Sequence, residues 1–153
     1  MTAVKSLWNS LSTKPGGKWL FTKAISMKAP YFRSIKARFN ALETGATRLT
    51  LWDKRSVHNH IGTVHAIAMC NAAELAAGIA TDYSVPSDMR WIPKGMSVRY
   101  LKPARGLLQV SGTLPPIVSG QAADVPVSVS ITDAAGDTVF TAEISMYCSP
   151  KRS

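Results

Sequence analysis

From Gly45 onward, apolar and polar positions alternate in short runs. Thr47, Leu49 and Leu51 alternate with Ala46, Arg48, Thr50 and Trp52, which predicts a strand over residues 45–52. Alternation returns at Met96, Val98 and Tyr100, at Leu108 and Val110, at Val125, Val127, Val129 and Ile131, and at Phe140, Ala142, Ile144 and Met146. The last two runs are joined by Asp133-Ala134-Ala135-Gly136-Asp137, loop chemistry suited to an antiparallel hairpin. Between the first strand and the others, the stretch from about Thr63 to Ala80 is dense in alanine and leucine and nearly free of charge, which predicts a long helix buried on most sides. One strand, one long helix and then four strands predict an α+β domain whose antiparallel sheet curls around a central helix.

Residues 1–42 read differently. Two short amphipathic helices flank the break at Lys14-Pro15-Gly16-Gly17, the second with Leu20, Phe21, Ala24 and Ile25 on one face. Pro30 interrupts it, and Phe32, Ile35 and Phe39 then recur at helical spacing. The chain of 153 residues is the length of one domain, so the expected organisation is a helical arm over 1–42 and a core over 43–149.

Charge adds a bias toward anionic partners. Net charge is +9 with a pI near 9.9, and every charged residue before Glu43 is basic: Lys5, Lys14, Lys18, Lys23, Lys28, Arg33, Lys36 and Arg38. Nucleic acid, anionic lipid and a phosphorylated ligand such as coenzyme A all fit that charge. The aromatic residues do not cluster as they do in the common RNA modules, so nucleic acid is not the expected partner. A basic, acid-poor N-terminus also fits a transit peptide, but Pro30 and the aromatic apolar face favour a retained structural element. No apolar run approaches the length of a membrane span. Cys70 and Cys148 lie in apolar segments, as reduced packing residues do, which suits a reducing, cytoplasmic setting.

Two features carry candidate chemistry. Glu74 is the only acidic residue in the long apolar helix, and burying a lone carboxylate costs several kcal/mol unless it is paired or protonated. Its readings are a less buried position, a pairing with a nearby arginine, or a catalytic base or nucleophile. The run His58-Asn59-His60-Ile61-Gly62-Thr63-Val64-His65-Ala66 sets polar side chains and a glycine just ahead of the helix. His58 and His60 share a face in an extended segment, yet no cysteine or carboxylate stands beside them at a familiar ligand spacing, so no metal or other cofactor is expected.

The spacing Asn59-x2-Gly62-x2-His65, followed nine residues later by Glu74, resembles the hotdog-fold thioesterases of the phenylacetyl-CoA and hydroxybenzoyl-CoA type. Tyr100-Leu101-Lys102-Pro103-Ala104-Arg105-Gly106 is similar to the end of a strand in that family, and the likeness spans about Gly45 to Cys148. With the N-terminal arm, the chain most resembles a hotdog subgroup known chiefly as a domain of unknown function. The resemblance implies a sheet wrapped around a central helix, an acyl-CoA or acyl-carrier thioester as substrate, and Glu74 as the catalytic carboxylate. The family has His-Gly-Gly at the helix start where this chain has His65-Ala66-Ile67, so a methyl and a larger side chain replace two hydrogens there.

Geometry adds a constraint. In an ideal helix nine residues turn through about 900° and rise roughly 13.5 Å, so His65 and Glu74 face opposite sides and one chain cannot bring both to one substrate. Two copies in a symmetric homodimer can; pairing of dimers into a tetramer stays open. Orphan amides at a helix start hold an oxyanion, which assigns the thioester oxygen to the Ala66 amide, provided a cap at Thr63 does not occupy it. His65 and Asn59 fix the loop and the carbonyl, with Gly62 in the turn between them, and a purely loop-capping Asn59 fits equally. Lys102 and Arg105 stand near a strand end where coenzyme A phosphates would pass. The rival reading is a non-catalytic acyl-CoA or lipid-binding hotdog module that lost turnover with the glycines; a hotdog dehydratase places its histidine and carboxylate differently.

Overall fold

Residues 1–151 are described by a computed structural model. Strands β1 (Arg38–Glu43), β2 (Ala46–Trp52), β3 (Met89–Tyr100), β4 (Leu107–Thr113), β5 (Ala123–Thr132) and β6 (Thr138–Pro150) form one antiparallel sheet in the order β1-β2-β4-β5-β6-β3. After β2 the chain forms helix α3 (Ala66–Ser84), places β3 on the far edge, and returns as β4 beside β2.

The alternation explains the curl. Leu49, Leu51, Leu108, Val110, Val127, Ile131 and Phe140 have no exposed surface, and each buried side chain of this size contributes about 1.5–3 kcal/mol. Helix α3 covers this face through Ala72, Ala73, Ala76, Ala77 and Ala80, all fully buried. Small side chains let its axis approach the strands. At Gly112 in β4 a Cβ would stand 3.1 Å from Thr47 Cγ2 and 3.7 Å from Ala76 Cβ. This is the hotdog arrangement.

Three local expectations are corrected. Helix α3 begins at Ala66, not near Thr63, and continues to Ser84, because Thr63 is held in the preceding loop. Phe39 belongs to strand β1: the helical spacing of Phe32, Ile35 and Phe39 spans a 3-10 turn (Pro30–Ser34) and the start of the sheet. Leu20 faces outward.

The arm consists of α1 (Ala3–Leu11), capped by Thr2, and α2 (Gly17–Lys28). The turn between them requires glycine: Gly16 has φ +72°, and a Cβ on Gly17 would overlap the Leu11 carbonyl oxygen at 1.7 Å. An edge-to-face chain of rings, Trp8 to Phe21 at 4.9 Å and Phe21 to Phe39 at 5.4 Å, packs the arm on β1. Helix α2 also covers the backbone of that edge strand, since Lys18 Nζ donates to the Asn40 carbonyl (2.7 Å) and the Phe39 amide donates to Thr22 Oγ1 (3.1 Å). The opposite edge, β3, pairs only with β6 and exposes Ile92, Met96 and Tyr100. No helix among the described residues is long and apolar enough to cross a membrane. Cys70 and Cys148 are free and buried, and burial pushes the Cys148 thiol up.

Candidate functional site

The loop before α3 is built by its polar side chains. Asn59 Oδ1 accepts from the amides of Ile61 (3.2 Å) and Thr63 (3.0 Å), while its Nδ2 donates to Thr63 Oγ1 (2.7 Å). Gly62 takes φ +73°, a conformation that an L side chain strains. Arg105 closes the loop from outside by donating to the Gly62 carbonyl (2.9 Å). Asp53 ties the far end: one carboxylate oxygen accepts from the Gly106 amide (2.7 Å) and the other pairs with His58 Nε2. The Gly106 hydrogen bond, with His58 and Arg105 beside it, holds the Asp53 carboxyl below its ordinary value against the opposing effect of burial.

This loop sets the start of α3. His65 is the cap, and its ring Nδ1 accepts from the Ile67 amide (3.0 Å). An accepting Nδ1 requires a ring unprotonated at that nitrogen. Thr63, taken up by Asn59, does not cap the helix, and among the described residues no acceptor meets the Ala66 amide. Ala66 borders an open hollow of about 320 Å³ that is also lined by Asn59, Thr63, Met69, Tyr100 and Lys102, among others. The Tyr100 hydroxyl lies 3.2 Å from Cys70 Sγ, a contact that raises the phenol's pKa.

Glu74 stands elsewhere. It is exposed, which removes the difficulty of a buried carboxylate, and no cation pairs with it among the described residues. It lines a predominantly apolar hollow of about 370 Å³ between the arm, α3 and β3, together with Ile25, Phe32, Leu75, Ile79 and Trp91. Asp82, two turns further along α3, lines the same hollow, and burial raises its carboxyl against the pull of Lys28 and Lys151.

The chain thus gathers Asn59, Ala66 and Lys102 around one hollow, puts Glu74 on a second, and turns His65 to a third with Ser34 and Asn71. Gly62 and Arg105 belong to the loop clamp. Lys102 forms an exposed ion pair with Asp137 (2.7 Å), which raises its pKa. Among the described residues no three of His, Cys, Asp and Glu converge as metal ligands, and His58 is engaged by Asp53.

Sequence reading missed Asp53 and Asn71, and named Tyr100 only as part of a strand end, without its contact to Cys70. Asp53 precedes the polar run that it anchors. Asn71 is an amide in a run of alanines, only 6% exposed, with Oδ1 unpartnered while Nδ2 donates to Ser34 Oγ.

A six-stranded sheet around a central helix, with a polar loop at the helix start, is the fold of the hotdog proteins. The chain belongs to the family described as "Domain of unknown function (DUF4442)", whose model matches residues 17–148. Among solved structures it is similar to a structural-genomics protein, APC5556, at 40% identity and a TM-score of 0.83, with 97% of this chain and 98% of that one covered. It shares its fold with PA5026 from Pseudomonas aeruginosa, described as a "Probable Thioesterase" (23% identity, TM-score 0.75, 87% and 95% covered). It also shares it with a thioesterase family protein from Silicibacter pomeroyi (15% identity, TM-score 0.72, 85% and 96% covered). No curated protein matches the chain significantly.

Proposed function

We propose that this protein is a homodimeric thioester hydrolase acting on acyl-coenzyme A or an acyl-carrier thioester, with each site built from two subunits. The observation that carries this reading is the apolar hollow beside Glu74: a carboxylate at the rim of an acyl-sized apolar pocket is the arrangement that thioester hydrolysis needs. The free Ala66 amide at the start of a long helix supplies the complementary oxyanion donor, and the solved relatives described as thioesterases share the fold.

Edge strand β3 offers the joint. Its unpaired backbone edge and the exposed Ile92, Met96 and Tyr100 call for a second copy, and antiparallel pairing of two β3 strands would continue the sheet across a twofold axis. Glu74 of one subunit and Ala66 of the other then meet at one thioester carbonyl. In the general-base route Glu74 takes a proton from water as the hydroxyl oxygen attacks the carbonyl carbon, and the Ala66 amide stabilises the oxyanion. The C–S bond breaks, the thiolate takes the proton back from Glu74, and acid and thiol leave. In the nucleophilic route Glu74 attacks directly, expelling the thiolate and leaving an anhydride for water to cleave. His65 positions the helix start, Asn59, Gly62 and Arg105 hold the loop, and Lys102 at the hollow's rim meets the ligand's phosphates.

Glu74→Gln tests the reading. Glutamine keeps the shape of the side chain but neither accepts the proton nor attacks as an anion, so hydrolysis of an acyl-CoA panel falls at least a hundredfold while the melting temperature stays that of wild type. Wild-type turnover in Glu74→Gln overturns the assignment. A wild-type protein that binds acyl-CoA but hydrolyses no thioester establishes the non-catalytic module instead, for which the Ala66-Ile67 pair in place of two glycines is the specific argument.

A further inference from the structure

A strongly cationic surface shares no lining residue with either hollow assigned to the thioester. Lys23, Arg33, Lys36, Arg38 and Lys54 line an open depression of about 450 Å³ where α2, the 3-10 turn and the ends of β1 and β2 meet, and no carboxylate lines it. None of the five forms an ion pair among the described residues. Several are held against indoles: Lys23 lies over Trp19 at 5.1 Å, and Arg38 and Lys54 lie over Trp52 at 5.9 and 5.6 Å. The neighbouring carboxylate, Asp53, is occupied by His58 and the Gly106 amide.

Beside these cations the same segment presents large apolar side chains to solvent. Trp19 is 58% exposed, Leu20 46%, Met27 69% and Tyr31 70%. The inner face of α2 is buried through Phe21 and Ile25, while the outward apolar residues leave much of their surface open to solvent. Trp19, Lys23 and Met27 follow one another at four-residue spacing along a single face. Cations without carboxylate partners, interleaved with exposed tryptophan, tyrosine, leucine and methionine, have the composition of a helix that lies in a bilayer interface, where aromatic rings sit at headgroup depth and lysines reach the phosphates. A nucleic acid would match the charge but leave Leu20 and Met27 without a role. A second copy of this strongly basic surface would repel its like. The sheet order sets β1 and β3 at opposite edges, so this face stays open when β3 pairs.

We propose that α2 and the adjoining 3-10 turn form a peripheral docking surface for a membrane containing anionic phospholipid, with Trp19, Leu20, Met27 and Tyr31 entering the interface and Lys23, Arg33, Lys36, Arg38 and Lys54 meeting lipid phosphates. The full chain is sedimented with vesicles of phosphatidylcholine alone and of phosphatidylcholine mixed equally with phosphatidylglycerol. It pellets with the mixed vesicles, stays in solution with the neutral ones, and is released by molar salt. Removing one cation raises the lipid concentration for half-binding about fivefold, so Lys36→Gln with Arg38→Gln raises it roughly 25-fold. Trp19→Ala with Met27→Ala weakens binding at least tenfold. All four side chains are exposed, and melting curves matching wild type keep the comparison clean. Wild type that ignores anionic vesicles, pellets equally with neutral ones, or binds duplex nucleic acid more tightly than vesicles at the same salt overturns the proposal; so do variants that sediment like wild type.

Discussion

The indole of Trp91 lies across Gly78, so close that a Cβ on the glycine would stand 3.2 Å from Cη2. Both residues line the apolar hollow beside Glu74, so the fit between them sets its width. Gly78→Ala gains about 0.5–1 kcal/mol of helix propensity and loses a similar amount to crowding. Thermal melting is expected to change little. The acyl-chain profile moves instead: turnover of short chains persists while KM rises for long and branched ones. An unchanged profile would place the acyl chain outside this hollow.

The Ala66 amide can be deleted without disturbing the helix. Ala66 is the first helical residue and His65 before it is extended, at φ −62° and ψ 138°, the two conditions under which proline is tolerated. Ala66→Pro is expected to melt within about 1 kcal/mol of wild type and to lose about 10²–10³ in kcat. Equal losses in stability and turnover would argue that the helix start is structural only.

A site shared by two subunits allows complementation. On the proposed two-subunit site, Glu74→Gln and Ala66→Pro, each expected to be inactive alone, are expected to regain about a quarter of wild-type activity after co-refolding, because half of the dimers would be mixed and each mixed dimer would hold one intact site. Ile92→Asp with Met96→Asp, on the exposed face of β3, is expected to give a monomer by light scattering and to abolish the rescue.

Phe21 joins Trp8 to Phe39 and has no exposed surface. Phe21→Ala is expected to cost about 3–5 kcal/mol, read by denaturant unfolding. Truncation through Phe39 strips two residues from β1 along with the arm, so it is expected to lower stability beyond the loss of the arm alone.

Asp53 couples stability to acid. Its folded pKa lies below the ordinary 3.8, so its contribution is present in full above that value and is lost as pH falls through the lower folded value. Asp53→Asn is expected to be about 1 kcal/mol less stable than wild type at pH 7, a figure kept small by its partial exposure. The difference narrows below pH about 4. A pH-independent difference would assign the loss to packing.

Strands β2, β4, β5 and β6 and the hairpin loop were legible because the strands carry an unbroken period of burial: Leu49 and Leu51, or Val125 through Ile131, read inward without reference to anything distant. The central helix was legible from its run of alanines, and β3 from the alternation of Met96, Val98 and Tyr100, although Met96 and Tyr100 are exposed in the single chain. Strand β1 was not legible, because Phe39 and Leu42 are separated by a bulge between Phe39 and Ala41 that breaks the two-residue period. The loop residues Asn59, Gly62 and His65 stood out through polarity and spacing. Their bonding partners did not, since Asp53 meets Gly106 and Arg105 meets Gly62 only through the tertiary fold. Glu74 was conspicuous as the one acid in a helix read as buried on most sides, and of its three readings the less buried position is the one that the single chain shows.

The two rims of the sheet are unequal. The β1 rim is occupied along its backbone by Lys18 and Thr22 of α2, whereas the β3 rim is bare. A bare strand that pairs antiparallel with its own copy uses up both bare rims at once. On the proposed pairing, growth by that route stops at two molecules, so the same helix that fastens the arm would also act as a chain terminator, turning an adhesive edge from a seed for filaments into a joint that can be made only once.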